Sequence, residues 1–95
     1  MITVTRKETR PNLTTDWYRT PQDFVQYIQR FNDIRSRPKF AWTLSDDMLS
    51  RTFIEFFPSQ QEYDTYLADP TVMAGYQASK AHNDSKNIVI DKTIT

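Results

Sequence analysis

The side chain with the clearest capacity for chemistry is His82, the only histidine in a chain of 95 residues. Imidazole is the one side chain that titrates near neutral pH without help from its surroundings. His82 is therefore the candidate catalytic residue, either as a general base or as an axial ligand. The alternative is structural, because a cation near the carboxyl end of a helix is stabilised by the helix dipole while it remains in solvent.

Four aromatic side chains could line a pocket between the predicted helices and sheet. Pockets for small molecules are mostly apolar and carry a few polar groups, which tyrosine hydroxyls and an indole would supply. The candidate residues for binding a small apolar ligand are Trp42, Tyr63, Tyr66 and Tyr76. The same residues could instead fill the core, with their hydroxyls reaching its edge.

Other groups that could support catalysis are few. The chain has no cysteine, which excludes disulfides and thiolate chemistry, and one histidine without clustered carboxylates does not make a usual metal site. No phosphate-binding glycine loop, nucleophile elbow or zinc motif occurs, so we expect no cofactor and no metal. Arg51 and Glu55 flank Phe53 on one side of a predicted strand, as a buried ion pair bridging a dimer, as an acid with its orienting partner, or as an ion pair in solvent that contributes little.

Charge limits the classes of partner. Twelve basic and twelve acidic residues leave no formal net charge, which argues against general binding of nucleic acid or of an anionic membrane. A short basic run, Arg35, Arg37 and Lys39, fits the end of a helix better than an anion-binding patch. The opening residues lack the apolar core of a signal peptide, and no segment is long enough to cross a membrane. We therefore expect a cytoplasmic protein.

The elements that must position these residues follow the order β-α-β-β-α-β. Alternating apolar and polar residues predict strands at 1–9, 39–45, 48–57 and 88–95. Three- and four-residue spacing predicts helices at 20–35 and 59–81, the second restarting at Asp69-Pro70, with a turn at 82–87. This order predicts a single ferredoxin-like α+β domain over residues 1–95, with a four-stranded antiparallel sheet and two helices on one face.

The third predicted strand, "RTFIEFF", is apolar on both sides: Phe53 and Phe57 point one way, Ile54 and Phe56 the other. Helices cover only one face of such a sheet, and a large apolar patch on the other face usually marks an interface. We predict a homodimer packed sheet to sheet about a two-fold axis. The predicted interface residues are Leu49, Phe53, Phe57, Trp17 and Tyr18. The reverse orientation of the strand also fits, and the loop of residues 11–20 could instead cover the patch.

The chain also resembles a known superfamily. The segment "FFPSQQEYDTYLADPTVMAGYQASKAHND", with the β-α-β-β-α-β order, is similar to the dimeric α/β-barrel proteins, which include antibiotic-biosynthesis-monooxygenase-like domains. In that superfamily a strand ends, a helix with aromatic residues follows, "DP" opens a second helical piece, and a polar turn leads to the last strand. The opening "MITVTRKETRPN" is also similar to small proteins of marine phages.

The resemblance implies a homodimer and admits several activities. Members include cofactor-free oxygenases, heme-degrading enzymes, isomerases and proteins without known activity. Of the residues typical of the heme-degrading branch, only the histidine has a counterpart, His82, because the first strand has no asparagine and the third has phenylalanines in place of tryptophan.

We predict a non-catalytic homodimeric module that holds a small apolar ligand between helices and sheet, because no acid-base constellation converges in the sequence. The alternative is a cofactor-independent monooxygenase or isomerase with His82 beside the aromatic pocket. Gly75 is the only glycine, and inside a helix it costs about 1 kcal/mol relative to alanine. We expect it to allow a close approach of the helix to the sheet or to leave room for a ligand.

Overall fold

A computed structural model describes the backbone of residues 1–34 and 41–95 and the side chains of residues 1–31 and 41–95. The elements are β1 (Ile2–Thr9), α1 (Gln22–Ile34), β2 (Ala41–Leu44), β3 (Ser50–Phe57), α2 (Gln60–Ala68), α3 (Pro70–Ser85) and β4 (Val89–Ile94). The strands form one antiparallel sheet in the order β2-β3-β1-β4. This confirms the ferredoxin-like α+β prediction. The predicted basic run Arg35, Arg37 and Lys39 lies outside the described residues.

The hydrophobic core lies between one face of the sheet and the helices. Its buried members come from β1, β3 and all three described helices: Val4, Phe57, Phe31, Tyr63, Tyr66 and Val72. The ring of Phe57 lies 4.8 Å from that of Tyr63 and 5.4 Å from that of Tyr66, between centroids. The helices therefore cover the same face of the sheet, as the predicted topology requires.

The apolar residues of β3 face the opposite sides of the sheet from those predicted for the interface. Side chains directly opposite each other in an antiparallel pair share a face, and the β1–β3 register aligns Phe53 and Phe57 with the side of β1 that carries Val4. Phe57 is completely buried in the core. The expectation that Phe53 and Phe57 point away from the helices is therefore wrong. Ile54 and Phe56 lie on the other side instead.

The two faces of the sheet differ in chemistry. The inner face, which the helices cover, comprises Val4, Arg6, Glu8, Arg51, Phe53, Glu55, Phe57, Ile90, Lys92 and Ile94. The open face, which points the other way, comprises Thr3, Thr5, Lys7, Thr52, Ile54, Phe56, Val89, Asp91 and Thr93. Charges are thus concentrated on the covered side. Threonines surround the apolar residues of the open face.

Two side-chain N-caps are present, and one of them also ties α1 to α3. Ser59 Oγ accepts a hydrogen bond from the backbone N–H of Glu62 (3.2 Å) at the start of α2. Asp69 Oδ1 accepts from the N–H groups of Thr71 and Val72 at the start of α3. The other carboxylate oxygen of Asp69 accepts from the Tyr27 hydroxyl at 2.7 Å. This carboxylate therefore caps α3 and holds α1 against it.

The carboxyl end of α3 differs from the prediction. A turn was expected from His82 onward, but α3 continues to Ser85. The backbone N–H of Lys86 closes the helix on the carbonyls of His82 and Asn83, and Asn87 then takes a left-handed conformation (φ 57°) before β4. Asparagine tolerates this conformation better than most residues. The extra helical turn places Asn83 over the sheet, where it is buried.

Gly75 permits a close approach of two helices. A methyl group built on its Cα would overlap the ring of Phe24 in α1, chiefly at Cε2 and Cζ. The expected approach to the sheet, or space for a ligand, is therefore wrong, because the ring of Phe24 occupies the space beside Gly75. Gly75 is half-buried, and α1 can pack against α3 at this point only because Gly75 lacks a side chain.

The contact between Gly75 and Phe24 predicts a change of sign. In the native background, Gly75→Ala should lower the free energy of unfolding by about 1–2 kcal/mol, because overpacking costs more than helix propensity returns. In a Phe24→Ala background the same substitution should raise it by about 1 kcal/mol. Urea denaturation followed by circular dichroism measures both values. Ala78→Gly, at an exposed site on the same helix, calibrates the propensity term, and an equal effect of Gly75→Ala in both backgrounds would contradict the packing account.

Candidate functional site

A cleft of about 480 Å³ opens between α3 and the β1–β4 side of the sheet. Its floor is formed by Arg6 and Glu8 of β1 and by Ile90 and Lys92 of β4. Its wall on the α3 side is formed by Tyr76, Ser79, Lys80, Asn83 and Asp84, and its end by Ile88 and Val89. The lining combines an apolar strip with several charged groups. Its volume falls within the range of pockets that bind small organic molecules.

A buried carboxylate lies at the base of the cleft. Glu8 is only 1% exposed, and its Oε1 accepts a hydrogen bond of 2.5 Å from Nε of Arg51 on the neighbouring strand β3. Nε of Arg6 lies 3.5 Å from the other carboxylate oxygen. Since a buried charge needs a close partner, the two arginines are what allows Glu8 to remain at this position.

Aromatic rings hold both guanidinium groups in place. The guanidinium carbon of Arg6 lies 4.9 Å from the ring centroid of Phe53 and 5.9 Å from that of Tyr76. That of Arg51 lies 5.0 Å from Phe53 and 4.6 Å from Trp17. Phe53 thus lies against both arginines. Guanidinium groups stack well on aromatic faces, so these contacts fix the orientation of the cations at the base of the cleft.

Tyr76 contributes a neutral hydroxyl to the cleft. Burial raises the pKa of Tyr76 well above its usual range, and the Glu55 carboxylate raises it further, while Arg6 acts in the opposite direction. A phenol in this environment stays protonated at neutral pH and can donate a hydrogen bond. Tyr76 is the one predicted ligand-binding aromatic that the structure brings to the cleft.

The other three predicted aromatics lie elsewhere. Tyr63 and Tyr66 are 2% and 4% exposed and belong to the core, beside Phe57. The ammonium of Lys92 lies 4.9 Å from the ring centroid of Tyr63. Trp42 stands on β2, at the opposite edge of the sheet from β4, where it is 58% exposed and stacks on Phe53 at 6.4 Å.

His82 faces the β1–α1 loop (residues 10–21) rather than the cleft. Its Nε2–H donates to the backbone carbonyl of Asp16 at 2.9 Å, and its ring lies 5.7 Å from that of Tyr18. The ring is half-buried by these contacts. This contact fixes the loop to the last turns of α3. His82 does not line the cleft, so it is not placed to exchange a proton with a molecule bound there.

The predicted interface residues of the loop dock onto their own chain. Trp17 lies between the guanidinium carbons of Arg10 and Arg51, at 4.7 and 4.6 Å from its ring centroid. Arg10 also donates to the carbonyl of Met48 through Nε (3.0 Å) and Nη2 (2.8 Å), so the loop is fastened to the β2–β3 hairpin. Leu49, another predicted interface residue, lies half-buried in the same hairpin.

The described residues contain neither a metal cluster nor a membrane segment. Within residues 1–34 and 41–95, no three His, Cys, Asp or Glu side chains are grouped closely enough to hold a metal ion. None of the helices in those ranges combines the length and the apolar content needed to cross a bilayer.

Several solved structures have a similar arrangement of helices and strands. No protein-family model matches the sequence, and no curated protein matches it. A variant of SnoaB, a cofactor-independent oxygenase from Streptomyces nogalater, superposes with a TM-score of 0.62 at 13% identity, covering 99% of this chain and 89% of that one. A protein assigned as an antibiotic biosynthesis monooxygenase from Deinococcus radiodurans gives a TM-score of 0.56 at 10% identity, covering 100% and 90%. Another antibiotic biosynthesis monooxygenase gives 0.56 at 14%, covering 100% and 94%.

The chain has the fold of the antibiotic biosynthesis monooxygenases. The fold that the resemblance of the segment around "FFPSQQEY" implied is therefore confirmed. The likeness covers 99–100% of this chain. At these identities it concerns the fold, and function must be argued from the cleft itself.

Sequence analysis missed most residues of the cleft. Arg6, Glu8, Asn83 and Lys92 were not among the candidates, although two of them carried a readable signal. Arg6 and Glu8 continue the side of β1 that begins with Ile2 and Val4, so two charges share the apolar face of an amphipathic strand. Charges on a core-facing stripe are expensive unless they are paired or functional.

Proposed function

We propose that this protein binds a small organic molecule in the cleft between α3 and strands β1 and β4. The observation that carries the proposal is a cleft of about 480 Å³ whose lining joins two apolar side chains, Ile88 and Ile90, to fixed polar groups. An apolar body with a few convergent polar groups is the usual composition of a ligand site. Catalysis is not required for this function: the described lining contains no histidine, and its two carboxylates, Glu8 and Asp84, are engaged by Arg51 and Lys80.

Blocking the cleft tests this proposal. Ser79 lines the cleft from α3, and its neighbour Ala78 is exposed and lies outside the lining. A fragment set of one- and two-ring aromatic compounds, screened by ¹H–¹⁵N chemical-shift mapping, should shift the amides of Ser79, Asn83 and Ile90. Ser79→Trp should abolish those shifts, because an indole would fill the cleft.

The matched variant Ala78→Trp should leave the shifts unchanged, since it adds the same ring outside the site. Shifts located on another surface would contradict the proposal. So would equal binding to both variants.

A second candidate function is cofactor-independent oxygenation. The observation that favours it is the likeness in fold to SnoaB, a cofactor-independent oxygenase, across 99% of this chain. The test is oxygen uptake by the protein in the presence of a chelator and each compound that binds the cleft. Uptake that Ser79→Trp abolishes would support oxygenation, and binding without uptake would leave the binding function alone.

We further propose that two copies of the chain associate through the open face. The three described helices pack on the inner face, while the open face carries the half-buried Ile54 and Phe56 and the 67%-exposed Val89. Apolar patches of this kind are typical of interfaces, and a two-fold axis lets the same patch serve both copies. The interface differs from the one predicted from sequence because Phe57 and Phe53 belong to the other face.

A further inference from the structure

The charges around the cleft do not balance locally. Three cationic side chains line it, Arg6, Lys80 and Lys92, against two carboxylates, Glu8 and Asp84. Lys80 and Asp84 form an i,i+4 ion pair at 2.7 Å, which satisfies both. Glu8 is hydrogen-bonded to Arg51, which lies outside the lining, at 2.5 Å. Because Glu8 is shared between Arg51 and Arg6, one carboxylate faces two guanidinium groups, and the positive charge that remains in the cleft is that of Lys92 and part of that of Arg6.

Two buried polar atoms of the lining also lack partners. Nε of Arg6 is inaccessible to solvent and has no hydrogen-bond acceptor among the residues that the structure describes, since its 3.5 Å approach to Glu8 is an ion-pair contact only. The amide oxygen of Asn83, a residue only 3% exposed, likewise has no donor within residues 1–34 and 41–95. Leaving such groups unsatisfied is costly, and native proteins rarely do so without a bound water, an ion or a ligand.

Packing fixes the orientation of the Arg6 guanidinium. Its guanidinium stacks against Phe53 and Tyr76, so its direction is fixed by packing rather than by an existing bidentate carboxylate. A guanidinium group is permanently charged, more weakly hydrated than an ammonium and shaped to bind planar oxyanions. Tyr76 adds a hydrogen-bond donor on the opposite wall of the same cleft, whereas the amide oxygen of Asn83 is an acceptor and does not contribute to binding an anion.

We propose that the ligand of this cleft carries one carboxylate, which Arg6 and Lys92 bind. This inference rests on the proposed function, because it names the chemical class of the molecule that occupies the cleft. The apolar strip Ile88 and Ile90 then receives the body of the ligand, and the anion binds the accessible part of the Arg6 guanidinium, whose side chain is 26% exposed. The ligand class is thus an aromatic or aliphatic acid rather than a purely apolar molecule.

Three probes of the same shape test the charge preference. They are 2-naphthoate, 2-naphthamide and 2-naphthylmethylamine, titrated by isothermal calorimetry at low and moderate salt. We expect 2-naphthoate to bind at least about tenfold more tightly than the neutral amide, as one charge-assisted hydrogen bond provides. The amine should bind most weakly, and the advantage of the acid should shrink as salt rises.

Variants locate the charge that is responsible. Arg6→Gln and, independently, the exposed Lys92→Gln should each reduce naphthoate affinity about tenfold and so narrow the ratio of acid to amide affinity measured on the same variant. Lys7→Gln is the matched control, because it removes one positive charge from the adjacent position of β1 on the open face. Lys92→Gln keeps the test valid if Arg6→Gln fails to fold.

The outcomes separate this inference from the function on which it rests. If none of the three probes binds, and the fragment set gives no shifts in the cleft, the binding function itself is wrong. If amide and acid bind equally, or the amine binds best, the cleft is a ligand site but not one for anions. If Lys7→Gln weakens naphthoate as much as Lys92→Gln does, the preference arises from overall charge and the assignment to Arg6 and Lys92 is overturned.

Discussion

Glu8→Gln is expected to lower the free energy of unfolding by about 2–3 kcal/mol, the largest effect we predict for a change of one functional group. Glu8 is 1% exposed and is the common partner of Arg51 and Arg6. Removing one member of a fully buried ion pair costs about 3–5 kcal/mol, because the remaining charge is left without a partner. The side chains of the two arginines are 16% and 26% exposed, so water recovers part of that cost.

The predicted loss corresponds to a fall in melting temperature of about 10–20 °C for a domain of this size. Circular dichroism during thermal and urea unfolding measures it. Lys7→Gln, on the same strand but exposed on the open face, should change stability by less than about 0.5 kcal/mol.

A double-mutant cycle shows whether the cost arises from the pair. Glu8→Gln combined with Arg51→Met should be clearly less destabilising than the sum of the two single variants, because the combined variant leaves fewer buried charges unpaired. Simple additivity would mean that Glu8 and Arg51 act independently despite their 2.5 Å hydrogen bond. A near-neutral Glu8→Gln would remove the argument that the base of the cleft is an electrostatic cluster.

The parts of the fold that follow from neighbouring residues could be predicted from sequence. Ser59 and Asp69 predict the starts of α2 and α3, because each is an N-cap whose partners lie two or three residues further along the chain. Alternation identified the strands for the same reason. The carboxyl end of α3 was misjudged because "HNDSKN" has the composition of a turn, although its first four residues complete the helix.

The parts that depend on long-range pairing could not be predicted. The sequence of β3 is apolar on both sides, and only its register against β1 decides that Phe57 enters the core while Phe56 does not. The pair Glu8 and Arg51 is separated by 43 residues and becomes visible only in that register. Packing of Phe24 beside Gly75 likewise depends on how α1 crosses α3, which no local pattern encodes.

The candidate site was missed for a related reason. The candidates predicted from sequence, His82 and the tyrosines, are rare or reactive residue types. The cleft is built mainly from arginine, glutamate, asparagine and lysine. Those residue types are common on surfaces, so their role emerges only when burial is known. Burial of Glu8 and Asn83, rather than their identity, is what marks them.

Phe56→Glu is expected to convert a homodimer into a monomer, weakening association by at least about a thousandfold. Phe56 lies on the open face, opposite Thr3 of β1 and two residues after Ile54 on the same strand. In a two-fold interface each substitution occurs twice, so two carboxylates would be buried without partners, at a cost of several kcal/mol. Light scattering on a size-exclusion column should give twice the chain mass for the native protein and a single chain mass for the variant.

Phe53→Glu is the matched control, since it makes the same change three residues earlier on the same strand but on the inner face. There the guanidinium carbons of Arg6 and Arg51 lie 4.9 and 5.0 Å from the ring centroid, so a carboxylate would find cationic partners. We expect Phe53→Glu to alter stability and to leave the dimer intact. If Phe53→Glu separates the copies and Phe56→Glu does not, association occurs through the inner face and our assignment of the open face is wrong. A native protein that is monomeric at all concentrations would exclude the dimer while leaving the cleft, which lies within one chain, available to its ligand.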